Sequence, residues 1–384
     1  MNDAHAIALR RPARRLLRGS MLVLCAGLLL VLTGFAILAL DVGRIFIVRN
    51  ELQNAADSAA LAGANCLTRA SDPASSSNCL PTLPGSLNWT RAAARAAAQL
   101  ASNSADNLAL SATDAGHTIE VGYWNLLTKA PSGGSFNINY SPIGTYDKPA
   151  VRVSVTKDTG VNNGPIAMLT QLMYSGGGTG VPMAAQAVAV ISSPSMVFPD
   201  SVIPQAINKC MYDQFWNAST GQPVIYTGNP PDPYGISVVG QPWEVRIGSA
   251  YHYGSCSSGQ WTSFNQDVNS QSAISSLISN GNPITLNIGD PTWIEPGTKT
   301  ASYNDLEAKY PTPPGANVTV VVVDSTDLST KGTAPITAFA GFHISDIQGG
   351  SGKYIQGHFI PSTVTPGSGI GPFYGSYTPP RLAY

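Results

Sequence analysis

The chain has 384 residues, of which 43% are hydrophobic and 11% are charged, and its formal net charge is −1. The hydrophobic content excludes a disordered chain, and the balanced charge excludes long-range electrostatic attraction to nucleic acid. The length suffices for two or three domains. With 38 Gly and 29 Pro, the composition is typical of a loop-rich, strand-rich protein outside the cytoplasm.

An uncharged apolar stretch from Met21 to Leu40 predicts a transmembrane helix. About twenty residues at 1.5 Å each cover the roughly 30 Å hydrocarbon core of a bilayer. Five arginines precede it: Arg10, Arg11, Arg14, Arg15 and Arg18. This bias predicts a cytoplasmic N-terminus and a translocated remainder. A cleaved signal peptide would have a shorter apolar region, so we expect an uncleaved anchor.

The helical pattern continues beyond the membrane. Apolar residues recur every three or four positions along one face: Ile45, Val48, Leu52, Ala55, Ala59 and Ala62. Asp41 is expected to meet Arg44 one turn later. The predicted rod has about 45 residues and a length of roughly 65 Å. Two interpretations of the apolar face stay open: it packs on the chain's own soluble domain, or on similar helices in an assembly.

The same helix carries an ordered set of motif residues: Arg18-Gly19, then Asp41, Gly43 and Arg44, then Leu52, Gln53, Ala55, Ala56, Asp57, Ala59 and Ala62. This string resembles the N-terminal region of the TadE/TadG-like proteins of the Flp (tight-adherence) pilus system. In prepilin-like members a Gly before the span marks peptidase cleavage, and a Glu follows five residues later. Here Leu24 occupies that position after Gly19, so the chain is more similar to the larger, anchored TadG-like members.

The resemblance implies a function. It implies a membrane-anchored component of a Flp-type pilus or its secretion machinery that acts by protein–protein binding and not as an enzyme. The implied location is the inner membrane, crossed once, with a periplasmic C-terminal region. The implied partners are pilin-like subunits or the secretion platform, the lipid bilayer, and further copies through the N-terminal helix. Neither nucleic acid nor a cofactor is implied. The alternatives are a minor pilin-like fibre subunit, a surface adhesin and, less favoured, a periplasmic hydrolase.

Pattern and composition predict an α+β fold in four parts. These are a basic cytoplasmic segment (1–19), the transmembrane helix (20–41), a helix extension with a small α+β domain (42–193), and a mainly β domain (200–384). The family resemblance implies that the small α+β domain is pilin-like. Helices are predicted near 88–102, 165–174, 271–279 and 303–309. Strands are predicted at HTIEVGY, AVRVSV, MAAQAVAVI, PWEVRIG, ITLNIGD, VTVVVVD, ITAFAGFHI and YIQGHFI.

Five cysteines divide into one in the span, Cys25, and four beyond it. The four would lie in a compartment where disulfides persist, and they allow three pairings. We expect Cys66–Cys79 and Cys210–Cys256, because each pair falls within one predicted domain. Spacing of the CxxC type, which zinc sites use, is absent.

A predicted hairpin around the turn GGSG places Gln348 opposite Lys353 and His343 opposite His358. Two facing histidines are a partial metal site, but no third ligand is placed by the sequence. We therefore interpret them as an ordinary cross-strand pair.

Other candidate chemistry is sparse. Asp324 and Thr326 follow a strand as in a metal-ion adhesion site, but Leu328 occupies the third ligand position. Asp290 and Glu295 are two nearby carboxylates that could be considered as a glycosidase pair. The Pro and Gly residues around them predict a turn instead. No catalytic residue, metal ligand or cofactor site is predicted.

Overall fold

The computed structural model describes residues 17–68, 87–111, 113–141, 143–173, 180–297, 299–325 and 327–383, with side chains from Met21 onward. These ranges contain six α-helices: α1 (Leu17–Cys66), α2 (Trp89–Ala101), α3 (Leu169–Met173), α4 (Lys209–Phe215), α5 (Gln271–Asn280) and α6 (Thr300–Lys309). The fold is α+β, as predicted.

The strands fall into two groups along the chain. The first group is β1 (Ser104–Ala105), β2 (Leu108–Ala109), β3 (His117–Asn125), β4 (Ala130–Pro131), β5 (Asp147–Lys157) and β6 (Met183–Val190). The second group is β7 (Met196–Val197), β8 (Gln205–Asn208), β9 (Trp216–Asn217), β10 (Gln222–Pro223), β11 (Val245–Ile247), β12 (His252–Tyr253), β13 (Cys256–Ser257), β14 (Gly259–Phe264), β15 (Leu286–Asn287), β16 (Pro291–Glu295), β17 (Ala316–Val323), β18 (Gly332–Gln348), β19 (Tyr354–Phe359), β20 (Thr363–Val364), β21 (Gly367–Ser368), β22 (Ser376–Tyr377) and β23 (Arg381–Leu382).

Helix α1 is a single rod of 50 residues with two different surroundings. Its apolar N-terminal half is long enough to cross a membrane, and none of the described residues buries that stretch. Its C-terminal half is buried along one face, where Val48, Leu52 and Ala59 are at most 1% exposed. The change from exposed to buried follows the change from Leu-rich to Ala-rich sequence, because small side chains let other backbones come close.

The first sheet receives the buried half of α1. It is antiparallel, with the strand order β23-β6-β5-β3-β4. Because side chains alternate along a strand, Val151, Val153 and Val155 of the central strand β5 all point to the face that α1 and α2 cover. The opposite face carries a small separate cluster around Trp124 and Val190.

Gly63 permits the closest approach in this layer. A Cβ atom at Gly63 would lie 2.9 Å from the carbonyl oxygen of Ala92 in α2, and 3.0 Å from both the Ala96 Cβ and a Val151 methyl group. Helix α2 begins at an Asn88 cap, whose side chain accepts from the Arg91 N–H. The close packing of α1 against α2 and the first sheet therefore requires a residue without a side chain at Gly63.

The second sheet closes on itself. Its order is β11-β19-β18-β16-β14-β8-β17, and β17 also pairs with the long strand β18. Strands β18, β16, β14, β8 and β17 thus form a ring of hydrogen-bonded pairs, with β19 and β11 as an extension from β18. Its strands contribute to one large hydrophobic core cluster that includes Trp261, Val322 and Phe339. Closure removes exposed sheet edges and explains why this mainly β unit needs few helices.

The C-terminal tail joins the two sheets. After several short strands, β23 pairs with β6, so that Arg381 lies opposite Val190 of the first sheet. Tyr377 belongs to the core beneath α1. Phe373 packs against the cores of both sheets. The last residues therefore connect the closed sheet to the helix-covered sheet by packing as well as by strand pairing.

The turn predicted around Asp290 and Glu295 is wrong. Residues Pro291–Glu295 form β16 inside the closed sheet. Pro291 is tolerated because it is the first residue of the strand. The two carboxylates lie at opposite ends of this strand, roughly 16 Å apart at 3.3 Å per residue. Glu295 is fully buried and accepts a hydrogen bond from Ser263, so the structure does not bring these two groups together.

We expect Gly63→Ala and Gly43→Ala to change stability in opposite directions. Both glycines lie inside α1, where alanine is favoured over glycine by about 1 kcal/mol. A Cβ at Gly43 meets nothing within 4 Å, so G43A is expected to be neutral or stabilising. At Gly63 the crowding is expected to outweigh the propensity gain, with a net loss of about 1–3 kcal/mol. Urea unfolding of the full chain in detergent measures both, and equal effects would contradict the packing described here.

Candidate assembly site

Asp41 lies at the start of the part of α1 that packs against the rest of the protein. Its side chain is 1% exposed, and its two carboxylate oxygens accept hydrogen bonds of 2.8 Å from the backbone N–H groups of Leu169 and Thr170. These N–H groups begin the short helix α3, where a helix has no internal acceptors for them. The motif aspartate is thus an acceptor supplied by α1 to a helix 128 residues further along the chain.

Arg44 makes the second contact of this region. It was expected to meet Asp41, but it forms a two-pronged pair with Asp106, with N–O distances of 3.0 and 2.9 Å. It also donates to the carbonyl of Ala167 at 2.9 Å. The planar guanidinium suits this arrangement, because it can present parallel N–H groups to one carboxylate.

Asp106 is held in place by a tight hairpin between β1 and β2. Asp106 and Asn107 have φ angles of 58° and 60°, which are typical of a two-residue type I′ turn. The Asp106 N–H donates to Glu51 of α1 at 2.7 Å, so this turn binds α1 at two levels. We call the β1–β2 hairpin together with residues 166–173 the collar. The sequence reasoning missed it, although the Asp-Asn pair at 106–107 was an available turn signal.

Along α1, the alanine motif follows the residues that bind the collar, and it is buried against α2 and the first sheet. Leu52, Ala55, Ala56 and Ala59 have no exposed surface. Ala62 is only half-buried, because the covered face drifts around the helix toward Gly63.

The polar motif residues lie at the edge of this buried face. The Gln53 side chain donates to Asp57 at 2.8 Å and to the backbone carbonyl of Gln186 in β6 at 3.0 Å. Gly43 is exposed and has open space around it. Of the two interpretations left open by the sequence, the structure shows packing within the chain for the buried part of the face.

One of the two expected disulfides is present. Cys210 of α4 is bonded to Cys256 of β13, with 6.0 Å between the Cα atoms. Cys25 is a free, exposed cysteine in the apolar stretch of α1. Cys66 is buried at the end of α1, and its expected partner Cys79 lies outside the described residues. That second pairing stays a prediction.

The predicted histidine pair is confirmed, but the predicted turn register is wrong. His343 lies opposite His358, with ring centroids 5.0 Å apart. Gln348 lies opposite Tyr354 instead of Lys353, and a bulge between Ile344 and Asp346 absorbs the one-residue difference.

The two rings belong to a polar row across four strands. Nδ1 of His358 is 2.6 Å from a Glu244 carboxylate oxygen, and Nδ1 of His343 is 2.7 Å from the Asn317 side-chain oxygen. Burial, followed by the charge of His358, lowers the pKa of the His343 ring. Among the described residues, no group of three or more His, Cys, Asp or Glu side chains is arranged to hold a metal ion.

The adhesion-type site imagined at the end of β17 is only partly visible. Asp324 is exposed and Leu328 is 1% exposed, which is the packing of an apolar anchor under a loop. Thr326 lies outside the described residues.

A cleft of about 810 Å³ lies between the two sheets. Its aromatic and apolar wall contains Leu87, Trp89, Tyr123, Phe373, Tyr374 and Tyr377. Asp147 also lines it, but its carboxylate already accepts from Ser132, Asn125 and the Gly144 N–H. These hydrogen bonds lower the pKa of Asp147 although burial acts in the opposite direction. Burial lowers the pKa of neighbouring Lys148 to about 8.

Apart from the exposed Gly43, the motif residues from Asp41 onward pack or form hydrogen bonds within the chain. The described residues thus define an α+β protein with one long N-terminal helix whose C-terminal half is fixed to the first sheet. Two family models match the chain. Residues 19–65 match Tad, described as Flp pilus-assembly TadE/G-like, and residues 62–189 match Tad_C, described as Tad-like Flp pilus-assembly. The two matches together cover residues 19–189, which confirms the resemblance predicted from the sequence. No curated protein and no solved structure matches the chain significantly.

The matches coincide with the structural layer just described. They cover α1, α2, the collar and the first sheet through nearly all of β6, while the closed sheet lies beyond them. The families are structural components of Flp pilus assembly, and this supports a pilus-assembly role for the chain.

We expect Arg44→Lys to loosen the collar while preserving the charge. Lysine cannot reproduce the two-pronged contact with Asp106 together with the bond to Ala167, and a partly exposed pair of this kind contributes about 1 kcal/mol. Amide hydrogen exchange should therefore accelerate about fivefold at Asp106, Leu169 and Thr170. Lys331→Arg, in the exposed pair with Asp267, is the matched control and should leave these amides unchanged. Unaltered collar exchange in R44K would contradict this role of Arg44.

The polar row predicts a pH-dependent stability. Since the folded-state pKa of His343 lies below its ordinary value of 6.5, the folded protein binds fewer protons than the unfolded chain just below that pH. The stabilisation is thus present above pH 6.5 and is lost as the pH falls through the folded-state pKa. Urea unfolding between pH 7.5 and 5 should show a shallower decline in His343→Gln. The same change at the exposed His252 should leave the slope as in the original chain, and identical slopes for all three proteins would contradict the expectation.

Proposed function

We propose that this chain is an inner-membrane anchored, single-pass component of a Flp-type pilus or of its secretion machinery. The observation that carries the proposal is the division of α1: its motif-bearing half is bound to its own domain, whereas its apolar half is uncovered and long enough to span a bilayer. The basic N-terminal segment supports a cytoplasmic N-terminus, and the Cys210–Cys256 disulfide supports a periplasmic remainder.

The proposed organisation follows the sequence boundaries. Residues 20–41 form the membrane span, 42–193 form the helix extension with a small pilin-like domain, and 200–384 form the mainly β domain. Tail strand β23 crosses back to the first sheet, so the two proposed domains share the final residues. In this arrangement the closed sheet is attached at the end of the first sheet opposite the collar.

The proposed mechanism is protein–protein binding without catalysis. The alanine face is already covered by β5, β6 and α2, so partners such as pilin-like subunits or the secretion platform use other surfaces. Within the membrane, Gly27 and Gly34 have open space around them, and a second helix, including that of another copy, comes close there. The mainly β domain is the proposed contact to a further envelope component.

A surface adhesin is the second candidate, and the aromatic-lined cleft between the sheets is the observation that favours it. Aromatic walls with nearby hydroxyl and amide groups are common in ligand sites. The cleft includes residues of the Tad_C region and of the tail, so ligand binding there is compatible with anchorage by α1.

Cell fractionation tests the proposal. Cells carrying a C-terminally tagged chain are sheared, and the fibres and the inner membrane are blotted separately. We expect full-length chain in the inner membrane, because an uncleaved span retains it there. N-terminal sequencing provides the control for processing. Chain recovered from sheared fibres and beginning at Ser20 would overturn anchorage and establish the minor-pilin alternative.

A further inference from the structure

Five exposed apolar side chains lie on α1 and on the collar beside it. Three belong to α1 and two to the collar: Val42 (43% exposed), Phe46 (59%), Ile47 (59%), Leu108 (44%) and Leu169 (41%). Such side chains are normally scattered singly on a soluble surface.

Hydrogen bonds place the collar leucines beside the start of the extension. The N–H of Leu169 itself donates to Asp41. Leu108 pairs with Ala105 across the hairpin whose turn residue, Asp106, binds Arg44. Both leucines are thus connected to the stretch of α1 that carries Val42, Phe46 and Ile47.

The charged motif residues at this level are paired within the protein, although the Arg44 side chain is 41% exposed. Asp41 is almost completely buried, and the Arg44 guanidinium is occupied by Asp106 and the Ala167 carbonyl. The outward side of α1 consequently stays apolar through Ile47, and the next charged residue, Arg49, is exposed.

The length of this apolar surface exceeds a hydrocarbon core. From Met21 to Ile47 the helix rises about 40 Å at 1.5 Å per residue. The hydrocarbon core measures roughly 30 Å, and the bilayer with its headgroup regions measures about 40–45 Å. A helix standing across the membrane therefore places Phe46, Ile47 and the collar leucines within the headgroup region.

We propose that the collar is a membrane seat: Phe46, Ile47, Leu108 and Leu169 bind the surface of the bilayer that α1 spans. The partner is the lipid itself. The inference rests on the proposed membrane anchorage, and it is independent of pilus partners. Asp41 and Arg44 fix the helix to the domain, so seating the collar also sets the height and tilt of the whole extracytoplasmic region. The motif then has a physical purpose beyond packing, because it buries Asp41 and pairs the charge of Arg44 with Asp106 where lipid headgroups and chains meet the protein.

Lipid-dependent quenching tests the seat. The full-length chain with Cys25→Ser receives a single cysteine at Leu108 or Leu169, is labelled with an environment-sensitive fluorophore, and is reconstituted into phosphatidylcholine–phosphatidylglycerol vesicles containing brominated lipid. We expect at least twofold quenching and a blue shift at both positions. Leu127→Cys is the matched control, since Leu127 is 70% exposed in the turn after β3, at the opposite end of the first sheet. It should show neither effect.

A label at Leu30, in the middle of the apolar half of α1, distinguishes failure of the membrane seat alone from failure of the membrane anchor. Quenching at Leu30 without quenching at Leu108 and Leu169 would overturn the seat and leave the anchor intact. An unquenched Leu30 label would overturn the anchor and the seat together. A blue shift at Leu108 without lipid quenching would show that protein covers this surface, and it would also overturn the proposal. The C25S chain without an added cysteine gives the labelling background.

Discussion

The burial of the alanine face of α1 between α2 and the first sheet is the contact on which the rest of the structure depends. Small side chains let a helix backbone lie close to its neighbours, and at Gly63 even one methyl group is too large. A rod held this closely transmits its orientation to the domain. The apolar half and the buried half of α1 are therefore one continuous helix, fixed at its middle by the collar.

The collar shows why charged motif residues occur in an otherwise apolar helix. The spacing of Asp41 and Arg44 suggested that they pair with each other, but they do not. Each instead binds backbone or side-chain groups from distant segments. A buried carboxylate is tolerated when N–H donors satisfy it, and here the start of α3 supplies them. This arrangement links the end of the apolar half of α1 to segments 62 and 128 residues away. It gives the family motif a structural explanation that requires no catalytic or metal chemistry.

The closed sheet and the tail form the part of the structure beyond the first sheet. Closure of five strands removes the edges that would otherwise pair with other chains, and β23 then ties the closed sheet to β6. A cleft stays open between the two sheets, and the apolar half of α1 stays exposed. The Tad matches end within one residue of the end of β6, so the family-defining region is also the structural base to which the closed sheet is attached.

The sequence by itself determined the elements whose signal is local. The apolar span, the helix from Asn88, the alternating strands β3 and β5 and the facing histidines all follow from periodicity or turn residues within short windows. The motif string likewise identified the family without any three-dimensional information. Only the tertiary structure decided that the alanine face packs within the chain, that Arg44 binds Asp106, and that residues 291–295 are a strand. These outcomes depend on partners far apart in sequence, and short or Pro-initiated strands such as β8 and β16 acquire their conformation only from the neighbours that close the sheet around them.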